Sequence, residues 1–434
     1  KSDTATIPAP DPLSSVLCPM LFLCSTFGSA GDVFPLLGLA LALRERGHDV
    51  RFATNGHFEQ LIRNHDLPFE PLGTEADYQA CVRHPDLWHP QRAFPHMFRT
   101  FSPILKHQYA WHADVLAGRQ RPGPDQQRVV AISNCLGFGA LVAREKLKIP
   151  LLTFHVQPAV IWSRQAPPTL PGVVGPRWLK SLMYGIGEKL VIDRTVCPFL
   201  NPWRHELGLP PVKRITRWWH SPDGVLCLFP DWYAPPQPDW PPNLVQTDFP
   251  LWNAGSKAEL AADVSRFLNS GDPPIVFTPG SANQHGRDFF AAAVAACRNV
   301  GRRGIPGALP DTVTHFAYVP LDLLLPRSAA FVHHGGIGST SQALAAGIPQ
   351  VLMPLAHDQF DNAARIRKLG VGKSIPAPKF NAQRLTAALD RLLDSSPVAA
   401  ACRAASDKLT THDGLERTAL AAEQLAARDQ SPRA

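Results

Sequence analysis

Charge is scarce in this chain of 434 residues: Asp, Glu, Lys and Arg make up 18% of it, against 45% hydrophobic residues. That balance excludes a disordered polyelectrolyte and requires packed cores, and the length gives room for two domains of ordinary size. No apolar run is long enough to span a bilayer. No Cys-x-x-Cys occurs, and the eight cysteines (18, 24, 81, 135, 197, 227, 297 and 402) form no metal-ligand spacing. Cys24, Cys135 and Cys227 sit inside apolar runs, the pattern of buried free thiols in a reducing, cytoplasmic compartment. Asp-x-Asp is also missing, so the compact carboxylate chelate for a divalent cation has no residues to build it. Lys and Arg exceed Asp and Glu by 43 to 36, a net +7, yet no basic run is interleaved with aromatics. Nucleic acid is therefore not an expected partner, while peripheral contact with anionic headgroups at the inner membrane surface is allowed. Residues 1–15, KSDTATIPAPDPLSS, lack an apolar core and are expected to be a disordered leader.

What is present is strand, glycine loop, helix, strand, and it occurs in each half. Residues 16–25 predict a strand, 26–31 a glycine-containing loop, 34–46 a helix stopped by Gly47, and 48–54 a second strand. Further strands are expected at 129–134 and 151–154, around a helix over 137–146. Residues 75–115 carry His84, Trp88, His89, Phe94, His96, Phe98, Phe101, Tyr109 and Trp111 with little periodicity. They read as irregular chain whose aromatics can line an apolar pocket. The Pro-rich run 230–242 is the best candidate linker. A strand over 274–278 then leads into Pro279, Gly280, Ser281 and a helix over 288–302. The pattern predicts an α/β fold of two Rossmann-like, doubly wound parallel-sheet domains facing across a cleft. The expected divisions are 16–235, 236–410 and a returning C-terminal helix in 411–434.

Most of the functional information lies in residues 331–368, FVHHGGIGSTSQALAAGIPQVLMPLAHDQFDNAARIRK. An apolar strand ends at His333 and His334, and Gly335, Gly336 and Gly338 let backbone N–H groups approach a ligand. Ser339, Thr340 and Ser341 can cap the helix that follows, and its N-terminus suits an anion such as a diphosphate. A second apolar strand, 349–354, delivers His357, Asp358, Gln359, Asp361 and Asn362 to the carboxyl end of the sheet, where such folds bind ligands.

This segment resembles the donor site of the two-domain (GT-B) glycosyltransferases, which include UDP-glycosyltransferases and the antibiotic and sterol glycosyltransferases. The resemblance implies that His334 meets the donor phosphates, that Gly336, Gly338, Ser339 and Thr340 supply loop contacts, and that Asp358 and Gln359 bond the sugar hydroxyls. It also implies phosphate-loop contacts from Gly280 and Ser281 and base stacking by Tyr318. GSAGDVFP at 28–35, PVKRI, HSPDGVLCLFP and WYAPPQPDW between 211 and 240, and HDQFDNA at 357–363 carry a closer likeness to rhamnolipid-forming rhamnosyltransferases. Those enzymes have proline at the second histidine position, so the choice of phosphate ligand between His333 and His334 stays open. Relative to the family, about ten residues are expected to be missing at GIPGAL, 304–309.

Inverting transfer needs a base for the acceptor hydroxyl, and Asp32 matches the family's G-S-x-G-D-V form at that position. The competing reading makes Asp32 a helix N-cap. Phe34, Trp88, Phe94, Phe98 and Trp162 are the candidate acceptor contacts. The implied activity is metal-independent, inverting transfer of a hexose or deoxyhexose from dTDP-rhamnose or a UDP-hexose to a hydroxyl of a hydrophobic acceptor such as a hydroxy-fatty-acid lipid. No separate cofactor is implied. Helix dipoles and a histidine take the place of a cation at the leaving diphosphate. A nucleotide-sugar epimerase of the same fold and a non-catalytic nucleotide-sugar or lipid-binding protein are the alternatives. The aromatic-rich N-terminal half argues against the first, Asp32 against the second.

Overall fold

The computed structural model describes residues 18–89, 92–118, 127–170, 173, 175–252, 259–280, 286–301, 304–305, 314–316, 319–410 and 413–428. Two parallel sheets form its frame. The first contains β1 (Leu21–Ser25), β2 (Asp49–Thr54), β3 (Phe69–Pro71), β4 (Val129–Asn134), β5 (Leu151–His155), β6 (Val225–Cys227) and β7 (Leu244–Gln246), in the order β3-β2-β1-β4-β5-β6-β7. The second contains β8 (Ile275–Thr278), β9 (Gly304–Ile305), β10 (Ala330–His333), β11 (Gln350–Leu352) and β12 (Gly372–Ser374), in the order β12-β11-β10-β8-β9. Every residue of β1 and of β10 is buried, as parallel strands covered on both faces must be. The doubly wound α/β architecture expected from the sequence is thus present in both halves.

Strand order reverses between β1 and β4 in the first sheet and between β8 and β10 in the second. At such a switch point the two flanking loops diverge and leave a crevice at the carboxyl ends of the strands. The loop after β1 carries Asp32, and the loop after β10 carries His334 and the glycines.

The first helix, Ala30–Glu45, buries Leu36, Leu37, Leu39, Ala40 and Leu43 completely. At about 2 kcal/mol for each Leu removed from water, this packing holds the helix far more firmly than its intrinsic propensity does. Its far end is tied to the last helix, Gly414–Ala427. Arg46 donates through Nε and Nη2 to the two oxygens of Glu423 at 2.6 and 2.7 Å, and through Nη1 to Glu416 at 2.5 Å. The buried His48 meets Glu423 at 2.8 Å and accepts from the Met20 backbone at 3.1 Å.

The structure differs from the sequence expectations in the middle of the first half. Residues 75–115 are not irregular: helices Glu75–Arg83 and Ala93–Ala117 occupy most of them. The second of these helices buries Phe98, Leu105, Gln108, Trp111, His112 and Val115. The spacing is helical, but two members of the buried stripe are polar, so apolar periodicity alone could not reveal it. The Pro-rich run does not end the first layer either. β7 lies beyond Pro242 and pairs with β6, and Trp232 and Tyr233 pack on Phe249, so the division placed after residue 235 falls inside the first sheet. Gly304 and Ile305, the first two residues of GIPGAL, pair with β8 as the short strand β9; residues 306–309 lie outside the described set. Among the described residues no helix is long and apolar enough to cross a membrane.

The Arg46–His48–Glu423 cluster yields a stability prediction. Glu423→Ala strands a buried imidazole and half of a guanidinium fork, so unfolding in urea should lose about 2–3 kcal/mol, at the low end for a broken pair because Arg46 keeps some solvent. Glu423→Gln should lose less. A loss below about 0.5 kcal/mol for the alanine variant would show that the C-terminal helix is held by its apolar face alone.

Candidate active site

Asp32 is not the N-cap of its helix. Ser29 is, and Asp32 is the third residue of a capping box whose Oδ2 accepts from the Ser29 N–H at 3.0 Å. That fixes the carboxylate in the first turn, at the mouth of the cleft. The floor beneath it is a buried polar layer: Gln108 donates to Ser25 Oγ at 2.8 Å, Ser25 Oγ donates to Ser133 Oγ at 3.2 Å, and Asn134 donates to the Phe27 carbonyl at 2.6 Å. Asp32 is half-buried by surface area, with Ser29 and Asn134 of the first half and Asp358 of the second close enough to act on its charge. Desolvation raises its pKa to about 7, with the Asp358 charge adding to the rise and the Ser29 N–H and Asn134 amide opposing it.

The two histidines have different roles. His333 is fully buried, accepts from the Gly335 N–H at Nδ1 at 3.1 Å, and meets Gln350 Oε1 with Nε2 at 3.0 Å. Both of its nitrogens are spent inside the protein. His334 Nδ1 is buried and has no partner among the described residues. Its ring lies between two glycines: a Cβ on Gly280 would stand 2.7 Å from its Cε1, and one on Gly336 would stand 2.5 Å from its Nε2. Gly280 also has φ +98°, a conformation side chains disfavour. Burial, followed by the nearby His357, lowers the His334 pKa to about 4, so the ring is neutral near pH 7.

Gly336 is the N-cap of the helix Ile337–Ala345 and offers no side-chain cap. The expected capping by Ser339, Thr340 and Ser341 does not occur. All three lie inside the helix, and the Thr340 and Ser341 hydroxyls donate back to the carbonyls of Gly336 and Gly338 at 3.0 and 2.9 Å. Gly338 is exposed, with open space where a side chain would stand. The helix therefore presents backbone donors to the cleft rather than to hydroxyls.

Asp358 faces these donors. The Ile337 N–H and Asn362, which donates to Asp358 Oδ2 at 2.7 Å, favour its charged form, but desolvation outweighs them and raises its pKa to about 6. Gln359 is buried, and its carbonyl oxygen accepts from the Leu355 and Ala356 N–H groups at 2.7 and 3.1 Å, so only its amide nitrogen is left to face a ligand. Ser281 and Tyr318 lie outside the described residues.

Against known proteins, residues 22–161 match the glycosyltransferase family 28 N-terminal domain, and residues 291–416 match the erythromycin biosynthesis protein CIII-like C-terminal domain. The vancomycin aglycone glucosyltransferase of Amycolatopsis orientalis is 30% identical over 405 residues, 85% of this chain and 89% of that protein. The chain belongs to the GT-B glycosyltransferases of the antibiotic and sterol type. The O-mycaminosyltylonolide 6-deoxyallosyltransferase of Streptomyces fradiae is 27% identical over 423 residues, covering 92% of this chain and 96% of that one. A calicheamicin glycosyltransferase of known structure superposes with a TM-score of 0.71 at 18% identity over 95% of this chain and 99% of that one, a likeness of fold. A glycosyltransferase of this family takes a nucleotide-sugar donor and an acceptor.

In this glycosyltransferase the aromatics singled out as acceptor contacts do not form one surface. Phe98 is core, buried against Phe138 and Phe199, and Phe94 packs beside it. Phe34 meets Trp252 edge-on at 5.7 Å. Trp88 stands at the cleft, 6.0 Å from His357 of the opposite half. Trp162 stacks on Tyr184 at 5.5 Å with Arg164, Arg214 and Arg217 around it. Sequence reasoning missed Asn134 and Tyr78, both close enough to Asp32 to interact with its charge. Asn134 could have been found, since it ends the strand on the other side of the switch point.

The contact between Gly336 and His334 is directly testable. Gly336 has φ −62°, which alanine adopts without strain, so Gly336→Ala acts through its Cβ on the ring. Calorimetry should show nucleoside-diphosphate affinity falling roughly tenfold or more, with stability changed by about 1 kcal/mol or less. Unchanged affinity would remove His334 from the donor site.

Proposed function

We propose that this glycosyltransferase is an inverting, metal-independent enzyme that moves a hexose or deoxyhexose from a nucleoside-diphosphate sugar to a hydroxyl of a hydrophobic acceptor. The acceptor class is that of a hydroxy-fatty-acid lipid, and dTDP-rhamnose is the favoured donor, with a UDP-hexose as the alternative. One observation carries the reading: a desolvated carboxylate, Asp32, stands across the cleft from a helix N-terminus whose own N-cap, Gly336, supplies no side-chain cap and which is flanked by a neutral histidine.

In the reaction the acceptor oxygen attacks the anomeric carbon from one face, and its proton passes to Asp32. The new C–O bond forms as the bond from the anomeric carbon to the diphosphate oxygen breaks on the other face. Charge arriving on the leaving diphosphate meets the backbone donors at the start of Ile337–Ala345 and an N–H of His334. Helix and histidine do at this site what a cation does elsewhere. Asp358, beside the same helix end, is placed to accept from sugar hydroxyls, with the amide of Gln359 as a donor.

The likeness of 211–240 to rhamnolipid-forming enzymes supports a deoxyhexose and a lipid acceptor, and the 6-deoxyallosyl group in the name of the Streptomyces fradiae relative supports a deoxy sugar in the donor site. Few contacts to exocyclic hydroxyls separate these sugars. Thermal shift with dTDP, UDP and their sugars, followed by product analysis with a hydroxyalkanoyl acceptor, tests the reading. Absence of stabilisation by every nucleoside diphosphate would overturn it.

The pH dependence follows from the sign of the shift. Asp32 must be ionised to take a proton, so kcat/KM should rise with pH through about 7 and flatten above. Asp358→Asn removes a like charge and should move that limb to lower pH, whatever it does to the maximum. Asp32→Asn should reduce turnover roughly a hundredfold to ten-thousandfold with donor affinity kept. An Asn variant with near-normal turnover, or a limb that stays at the ordinary carboxylate range, would remove Asp32 from the chemistry.

A further inference from the structure

The helix Arg177–Gly187 and the wider turn Glu188–Asp193 that continues it present the largest exposed apolar side chains in the described residues. Trp178, Leu182, Ile186 and Leu190 are 67, 55, 49 and 56% exposed, with Met183 beside them at 39%. They recur every four residues, so they share one side of the helix over about 18 Å. Scattered surface leucines need no explanation, but a continuous stripe with a tryptophan at one end does.

The charges beside the stripe are of one sign. Arg177, Lys189 and Arg194 are exposed and Lys180 is half-buried. The two acids of the segment point inward. Glu188 is buried, pairs with Arg214 at 2.6 Å and bonds the Thr216 hydroxyl, and Asp193 accepts from the Ile215 N–H at 3.0 Å. The outer face therefore offers apolar bulk and positive charge, without an exposed acid on the segment. That combination matches an anionic lipid surface, where the side chains enter the headgroup boundary and the basic groups meet phosphates. The opposite face carries Tyr184, which is buried and stacks on Trp162.

We infer that the 177–190 stripe docks this enzyme on an anionic membrane surface, with the Tyr184 face of the same helix turned into the protein. The inference rests on the hydrophobic-acceptor reading above, since a lipid acceptor has to leave a bilayer to reach Asp32. Such docking is peripheral and reversible, as expected for a helix that lies on a bilayer and does not cross it.

Sedimentation with vesicles of phosphatidylcholine alone, and of phosphatidylcholine mixed with phosphatidylglycerol, tests it on the full chain. The protein should sediment with the anionic vesicles and bind the neutral ones several-fold less. Leu182→Ser combined with Ile186→Ser should weaken binding to anionic vesicles roughly tenfold, and Arg177→Gln, Lys189→Gln and Arg194→Gln together should abolish the preference for them. Both variants should keep transfer to a short-chain, water-soluble hydroxy acid, because none of these residues lies in the cleft. Absence of vesicle binding, or equal binding by the serine variant, would overturn the proposal. So would a stripe variant that splits a lipid-free dimer into monomers while vesicle binding is unchanged, which would assign the stripe to a second copy of the chain. If vesicles bind but no hydroxyl acceptor of any length is glycosylated, the acceptor reading fails and the docking surface stands.

Discussion

The cleft depends on one fully buried amide. Asn362 donates through Nδ2 to the Gly335 carbonyl at 2.9 Å and to Asp358 at 2.7 Å, and its Oδ1 accepts from the Tyr233 hydroxyl at 2.8 Å. Gly335 belongs to the glycine loop after β10, Asp358 to the loop after β11, and Tyr233 to the first half of the chain. All the hydrogen-bonding positions of this side chain that face those elements are used, so no element can shift without leaving a buried polar group unpaired. Around it, Asp361 accepts from the Thr169 N–H at 2.9 Å and from Arg365 at 2.7 Å, and Arg365 also donates to the Tyr233 carbonyl at 3.0 Å. The halves are thus registered by polar contacts of fixed geometry, while a shared apolar cluster joining Phe229, Phe249, Ile337 and Leu352 supplies non-directional attraction.

That registration brings Asp32 and Asp358 within reach of each other's charge. In that desolvated cleft the Asp358 charge adds to the rise in the Asp32 pKa and the Asp361 charge to the rise in that of Asp358, while Arg365 is committed to Asp361 and Tyr233. The positive potential left in the cleft comes from the helix end at Gly336, which is oriented but carries no titratable proton. Asp32, with its pKa raised to about 7, thus shares the cleft with a helix end whose partial positive charge does not titrate.

The central strands β1, β4, β5, β8, β10 and β11, the first helix and the glycine loop were legible in the sequence because each has strict local chemistry: a buried parallel strand reads as an apolar run, and a helix N-terminus open to a ligand needs glycine. The strands β3, β6, β7 and β12 were not, since a three-residue run by itself shows no pattern. The helices over 75–117 were not, because Gln108 and His112 belong to their buried face and interrupt the apolar period. The separation of His333 from His334 was invisible for another reason. It depends on Gln350, a residue on the adjacent strand that occupies one nitrogen of the first ring. Neighbouring positions in sequence can differ completely in which valences are spent, and only the pairing of β10 with β11 decides it. Asn362 sat in plain view within HDQFDNA, yet its role comes from Tyr233, 129 residues away.

His357 shows how the same loop joins the two halves of the chain. It holds φ +56°, a left-handed conformation that costs a non-glycine residue on the order of 1 kcal/mol. The surrounding contacts sustain it: its ring hydrogen-bonds the Leu87 backbone and lies edge-on to Trp88, both from the first half. From that position it also lowers the pKa of His334. The strained residue therefore ties the aromatic edge of the first half to the loop after β11, beside His334.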